Sequence, residues 1–297
     1  MTENKAAEVE IGGKRNWRVV LLRLLMLLVF SLLVLAGVGF FALRQIERAV
    51  AFHPERSGLN EPTPAGAENV WFANRSGNRL HGWFFQTQTT PARATVIYFH
   101  GNGGTIRNVE SIGTRFAAQG FNVLLFDYRG YGLSEGYLED EDGLYADADA
   151  AHEYISRERQ VSPNAIVLYG HSLGTAAAVD VAARQHCAAL IIESGPSSGR
   201  DMARVVLSWL PGQLYWLAKN RFDSAGKLSS VSCPVLIAHG EQDQTIPPEQ
   251  ARALFNAARE PKQLVMLPGT THNVVGSADD KYFETIAEFI RNSVPQN

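Results

Sequence analysis

Hydrophobic positions along the chain fall into two regimes. Leu24 to Leu43 contains no charged residue, and the apolar run reaches back to Val19 if Arg23 lays its stem along the run and carries its charge toward an interface. Beyond residue 67 the apolar residues come instead in runs of strand length. Val70 to Phe72 and Leu80 to Phe85 flank the polar stretch Asn74-Arg75-Ser76-Gly77-Asn78, which predicts a β-hairpin. Six further runs follow: Ala94 to Phe99, Asn122 to Phe126, Ala165 to Tyr169, Ala188 to Ile192, Pro234 to Ala238 and Gln263 to Leu267. Helix-length amphipathic stretches lie between them, near Ile106 to Ala118, Glu141 to Arg157, Leu173 to Gln185, Pro248 to Ala258 and Asp279 to Asn292. Strands alternating with helices predict an α/β fold, and eight strands with the first two antiparallel predict one mostly parallel sheet flanked by helices.

One connection breaks this rhythm. Gly195 to Ser232 is far longer than the few residues usual between a strand and a helix, and an insertion of that length predicts a lid. It carries Met202, Val205, Val206, Leu207, Trp209 and Leu210, then Leu214, Tyr215, Trp216 and Leu217 after Pro211-Gly212, read as two short apolar helices. Gly103, Trp209, Leu210, Leu214 and Trp216 are candidates to line a substrate pocket; the alternative is that the lid simply packs down on the sheet. The expected organisation is a tail over residues 1–18, a transmembrane anchor over 19–43, a linker over 44–66, and one domain over 67–297 with its lid at 195–232.

The N-terminal run is long enough to span a bilayer. A cleaved signal peptide has a shorter apolar core, about 7–15 residues, and a small-x-small site, for which Gly37-Val38-Gly39 is a poor candidate. An uncleaved anchor is therefore expected. Lys5, Lys14, Arg15, Arg18 and Arg23 precede the centre of the run and Arg44, Arg48 and Arg56 follow it. The positive-inside rule then places the N-terminus in the cytoplasm and the larger domain on the far side of a single-pass membrane protein.

Composition narrows the chemistry. With 297 residues, a net charge of −3 and no Lys/Arg-rich run after residue 60, the chain presents no basic field for nucleic acid. The two cysteines, Cys187 and Cys233, lack the paired spacings of a metal site. Each precedes a predicted strand, so they are read either as two buried free thiols or, in an oxidising compartment, as partners in a disulfide.

Gly170-His171-Ser172-Leu173-Gly174 follows a predicted strand and opens a predicted helix, the setting of a sharp turn that exposes a serine hydroxyl. Glycines on either side remove Cβ atoms where strand and helix meet, and the free N–H groups of the helix start face an oxyanion forming there. Serine is a weak nucleophile until a neighbouring base takes its proton, and that base needs an acid to fix its tautomer. This strand-turn-helix setting resembles that of the α/β-hydrolases, and the resemblance implies an acid after a late strand and a histidine after the last one. Asp243 stands in His239-Gly240-Glu241-Gln242-Asp243 and His272 in Gly269-Thr270-Thr271-His272-Asn273, just past the last two predicted strands. Glu193 is the alternative acid, with Glu241 behind it. Of the other histidines, His171 is expected to point away from the hydroxyl, His239 ends a strand, His100 supports its loop, and His53, His81, His152 and His186 are placed outside the ligand-binding edge of the sheet. An oxyanion would be held by the N–H of Leu173 and a second from His100-Gly101-Asn102-Gly103-Gly104, with Asn102 the first choice and Gly103 the next.

Together these residues resemble the α/β-hydrolase superfamily, in particular its membrane-anchored abhydrolase-domain branch, related to serine aminopeptidase-like hydrolases and depalmitoylating thioesterases. The resemblance spans roughly Phe52 to Arg291 and also rests on Asp127-Tyr128-Arg129-Gly130-Tyr131-Gly132 with Ser134 and Gly136, and on Cys233-Pro234-Val235-Leu236-Ile237-Ala238-His239-Gly240. It implies the triad Ser172, Asp243 and His272, no cofactor and no metal. Two features depart from it: Ser194-Gly195-Pro196-Ser197-Ser198 stands where relatives often carry an aromatic residue, and no cysteine near the start is available for palmitoylation. The expected substrate is a small-molecule or lipid-like ester or thioester near a membrane. A peptide substrate and a non-catalytic binding scaffold are the competing readings.

Overall fold

The computed structural model describes residues 16–56, 62–209, 211–274 and 280–295, with the side chains of residues 213, 214 and 216 left aside. The chain divides into two compact units, Met1–Ile46 and Glu47–Asn297. A single helix, α1 (Trp17–Ala51), fills the described part of the first unit and supplies the opening residues of the second. None of its 35 residues is buried. The helix outruns the apolar stretch and takes Arg44 to Ala51 from the segment expected to be linker. Apolar character was the signal read there, but helix propagation does not require it: Arg, Gln and Glu are good helix formers, and the Arg44 guanidinium lies 4.6 Å above the Phe40 ring one turn back.

The second unit is built on eight strands: β1 (Ala67–Ala73), β2 (Arg79–Phe85), β3 (Ala94–Phe99), β4 (Phe121–Phe126), β5 (Ile166–His171), β6 (Ala189–Glu193), β7 (Val235–Gly240) and β8 (Lys262–Leu267). They form one sheet in the order β1-β2-β4-β3-β5-β6-β7-β8. β1 and β2 pair antiparallel, as do β2 and β4, and every pairing from β4 through β8 is parallel. The hairpin turn is fixed by Asn74, whose side-chain oxygen accepts the N–H groups of Ser76 and Asn78, each at 3.0 Å.

Alternation along each strand feeds a core on either face. Ile97, Phe99, Leu124, Phe126, Ile166 and Leu168 enter one cluster. Val96, Tyr98, Val123, Leu125, Val167 and Tyr169 enter the other. The first is covered by α3 (Glu141–Glu153), α4 (Gly174–Arg184) and α7 (Glu249–Ala257), the second by α2 (Glu110–Ala118) and α8 (Asp280–Ser293). The expected helix from Glu141 to Arg157 is α-helical only to Glu153, after which a wider turn runs from Tyr154 to Glu158.

The insertion between β6 and β7 contains α5 (Gly199–Val206), a tight 3-10 turn over Gly212–Leu217, and α6 (Ser224–Leu228). α5 is amphipathic rather than apolar throughout, since Arg200, Asp201 and Arg204 share it with Met202, Val205 and Val206. The far end of the insertion is tied down: Glu141 N–H donates to the Asn220 side chain at 2.7 Å, and Phe222 N–H to the Glu141 carboxylate at 2.6 Å.

Candidate active site

β5 ends in a turn that a side chain adopts only under strain. Ser172 has φ of 53°, in the left-handed region. Three hydrogen bonds hold it there: Ser172 N–H donates to Glu193 O at 2.9 Å, while Ser172 O accepts the Thr175 N–H at 3.0 Å and the Thr175 hydroxyl at 2.7 Å. The flanking glycines are required for different reasons. A Cβ on Gly170 would lie 2.5 Å from the Thr175 Cα, the strand-to-helix clash expected from sequence. A Cβ on Gly174 would instead lie 2.5 Å from the Phe99 carbonyl carbon and 2.6 Å from the His100 carbonyl oxygen. That glycine therefore sets the approach of the serine turn to the loop after β3.

The loops after β7 and β8 bring the other two residues to the same point. His272 Nδ1 lies 2.8 Å from Asp243 Oδ2, and His272 Nε2 lies 3.0 Å from Ser172 Oγ. An ionised carboxylate only accepts, so the imidazole proton sits on Nδ1 and the Ser172 hydroxyl donates to the bare Nε2. Asp243 is richly supported. Its Oδ1 accepts the N–H groups of Thr245 at 2.8 Å and Ile246 at 2.9 Å, and His239 Nε2 lies 3.2 Å from Oδ2. Burial pushes its carboxyl up, but the hydrogen bonds from His239, His272 and Ile246 outweigh burial and hold it well below the usual carboxylate range.

His239 Nε2 also donates to Ile246 O at 2.9 Å, which fixes its tautomer. This fully buried histidine was read from sequence only as a strand end. Its signal was its place four residues before Asp243, bracketing the turn that carries the acid.

Glu193, the alternative acid, is committed elsewhere. It is fully buried at the end of β6 and accepts hydrogen bonds from the hydroxyls of Tyr169 and Tyr282. Burial beside this carboxylate pushes both phenols well up, so they act as donors. His171 points away from Oγ, with its Nε2 3.9 Å from Glu193 Oε1 and 3.4 Å from the His272 carbonyl. Burial lowers its affinity for a proton. Glu241 is exposed.

The loop after β3 has its carbonyls pinned. Gly101 O accepts His100 Nδ1 at 2.8 Å; Asn102 O accepts the His53 N–H at 3.0 Å and the Tyr131 hydroxyl at 2.9 Å. Across a trans peptide the N–H points opposite to the carbonyl, so these bonds also aim the N–H groups of Asn102 and Gly103. Neither Asn102 nor Leu173 donates its N–H to another described residue. A Cβ on Gly103 would meet nothing within 4 Å. His53, expected away from this edge, lies against it, with Asn102 Nδ2 donating to His53 Nδ1 at 3.0 Å. No local pattern marks His53, because its place comes from the chain passing the loop on leaving α1.

The Asp127-to-Gly136 motif is scaffold. Asp127 Oδ1 accepts the Ile106 N–H at 2.9 Å, and the Ser134 hydroxyl donates to Asp127 O at 2.6 Å. Of the proposed pocket residues, Trp209 is 77% exposed. Leu210 and the side chains of Leu214 and Trp216 lie outside the described residues.

A parallel sheet that presents a strained serine turn, with a histidine and an acid on the next loops, defines a class, and the chain belongs to it: the α/β-hydrolase superfamily. The family described as "Serine aminopeptidase, S33" matches residues 90–226, a span that contains Ser172 but stops short of Asp243 and His272. "Uncharacterized protein YfhR" of Escherichia coli (strain K12) is 34% identical over 247 residues, 80% of this chain and 85% of that one. "Uncharacterized protein Rv2307c" of Mycobacterium tuberculosis is 36% identical over 246 residues, 81% of this chain and 85% of that one. Among solved structures, the esterase PF2001 of Pyrococcus furiosus superposes with a TM-score of 0.69 at 18% identity, covering 82% of this chain and 98% of its own. An α/β serine hydrolase homologue from Coxiella burnetii gives a TM-score of 0.58 at 21% identity, covering 79% and 100%. At these identities the solved structures speak for the fold.

Proposed function

We propose that this protein is a serine hydrolase that cleaves carboxylic ester or thioester bonds through an acyl-enzyme, acting on hydrophobic acyl substrates at a membrane. The observation that carries the reading is the unbroken chain from Asp243 through His272 to Ser172, at 2.8 and 3.0 Å. Ser172 Oγ attacks the carbonyl carbon while His272 Nε2 takes its proton. Asp243 holds the imidazole and stabilises its charge without accepting the proton. The N–H groups of Leu173 and Asn102 receive the negative charge that develops on the carbonyl oxygen. His272 then returns the proton to the leaving group, and water activated by the same nitrogen releases the acyl chain.

Two features support a membrane setting. α1 is long and apolar enough to cross a bilayer, a test that a signal sequence also passes, and the distribution of basic residues favours an anchor with the catalytic unit outside the cytoplasm. On the insertion, Val205, Val206 and Trp209 are exposed beside Arg200 and Arg204, the mixture of apolar and cationic groups that suits a lipid headgroup region.

The S33 match favours peptide cleavage as a second reading. An aminopeptidase needs a carboxylate free to hold the substrate's terminal amine. Glu193, whose backbone O accepts the Ser172 N–H, is fully buried and held by two tyrosines, which disfavours that reading.

The test is fluorophosphonate labelling of the full chain in detergent, with Ser172→Ala and His272→Ala as controls, followed by p-nitrophenyl esters of increasing chain length and aminoacyl-p-nitroanilides. Labelling lost in both variants and turnover rising with acyl length are expected. Equal labelling of Ser172→Ala would overturn the assignment, and cleavage of anilides alone would favour the peptidase.

A further inference from the structure

At the edge of the sheet opposite Ser172, two thiols stand together. Cys187 lies in the turn between α4 and β6, and Cys233 is separated from the start of β7 by Pro234 alone. β6 and β7 are parallel neighbours in register Leu190↔Val235, and the Leu190 N–H donates to Pro234 O at 2.9 Å. Two independent strand starts therefore bring the sulfurs to 3.0 Å of each other. That is closer than the ~3.5–4.0 Å at which uncharged heavy atoms rest. Both cysteines are buried, at 2% and 6% exposure.

We infer that Cys187 and Cys233 are a site of oxidative cross-linking, joined by a disulfide in the membrane-bound protein. The inference uses the part of the proposed function that puts the catalytic unit on the oxidising side of the membrane, and does not depend on substrate or triad. The two thiols give up two protons and two electrons to form one S–S bond. A protein or small-molecule disulfide accepts both electrons and is released as two thiols.

Burial decides when this happens. Exchange requires a thiolate, and the neighbouring sulfur together with burial pushes the Cys187 thiol far up. Oxidation therefore belongs to folding, before β6 and β7 close over the pair. Once formed, the bond is shielded from reductants. It would close a loop whose ends are 46 residues apart and which contains the whole insertion, including α5, the turn at Gly212–Leu217 and α6. The insertion would thus be held at its base by a covalent tie on the far edge of the sheet.

The experiment is thiol counting on the full chain extracted from membranes into detergent. Cells are lysed in N-ethylmaleimide, the protein is denatured in fresh reagent, and intact mass is measured with and without prior reduction. No adduct before reduction and two after are expected, with a cross-linked peptide containing Cys187 and Cys233. Melting of the oxidised protein should exceed that of Cys187→Ala/Cys233→Ala by roughly 10 °C, from the closure of a loop of this length. Two adducts per chain without reduction would overturn the inference. A parallel refolding of the reduced, denatured chain in a glutathione redox buffer then says which premise failed. Free thiols there too condemn the geometry, whereas oxidation there condemns the assigned side of the membrane and leaves the proposed hydrolysis untouched.

Discussion

Adding one methyl group at Gly174 tests the architecture of the site without touching a reacting atom. In Gly174→Ala the new Cβ starts 2.5 Å from the Phe99 carbonyl carbon and 2.6 Å from the His100 carbonyl oxygen, where ordinary contact begins at 3.4 Å. The obstacles are backbone atoms at the end of β3, so no side chain can turn aside. Either α4 or the loop after β3 must retreat by about 1 Å, and overpacking of this kind costs about 1–3 kcal/mol. For a domain of this size that lowers the melting temperature by about 2–12 °C. The functional cost should be larger than the stability cost. The displaced loop carries the Asn102 N–H, and a misplacement of this order costs about 10²-fold in rate. His272 and Asp243 keep their own supports and Ser172 moves only with α4, so kcat should fall while KM for a short ester stays nearly constant and fluorophosphonate labelling slows without vanishing. Circular dichroism melting and steady-state ester hydrolysis measure both effects. Unchanged melting together with kcat within threefold of the parent would refute the claim that Gly174 sets the distance between the serine turn and the loop.

Two further variants concern the acid. Asp243→Asn should lower kcat by about 10⁴ with little change in KM, because the amide no longer holds the proton on His272 Nδ1; titrating the ester assay would show the loss at every pH. The linkage has a definite sign. A carboxyl held below its unfolded value of about 3.9 contributes stability that is complete above that value and is lost as pH falls toward the depressed one, so acid melting of Asp243→Asn should be less steep than that of the parent. His239→Ala strips one donor from both Asp243 Oδ2 and Ile246 O. It should cost about 1–3 kcal/mol in stability and about tenfold in kcat, with His239→Gln restoring most of both; an alanine variant of unaltered kcat would reduce His239 to packing.

Much of this was legible in the sequence because the sheet is buried on both faces. Its parallel strands read as continuous apolar runs, and the loops at their C-terminal ends carry Ser172, Asp243 and His272 at fixed points in that rhythm. The crossing of β4 past β3 in the sheet order has no local signature, since it depends on which edges pair. His53 and His239 escaped for a related reason: each acts through a neighbour brought close by the fold, and a lone histidine carries no period. The run of α1 on to Ala51, past the apolar stretch, escaped because apolarity, not helix propensity, was the signal followed. In the insertion the apolar residues predicted either a pocket lining or packing on the sheet, and a local pattern does not tell which of them stay exposed, as Val205, Val206 and Trp209 do.

The position of that insertion divides the chain in an exploitable way. The residues to which we assign attack on the carbonyl and the holding of its oxyanion, Asn102, Ser172 and Leu173, precede residue 193, and the two to which we assign the proton, Asp243 and His272, follow residue 235. A protease cut beside the exposed Trp209 would leave two fragments, neither of which contains a working triad, so that activity becomes a direct readout of reassembly. If Cys187 and Cys233 are bonded, the bond spans the cut and the fragments stay tethered through unfolding; only reduction of the unfolded pair lets them part. One polypeptide would thus serve as a split enzyme whose complementation is switched by the state of a single pair of sulfurs.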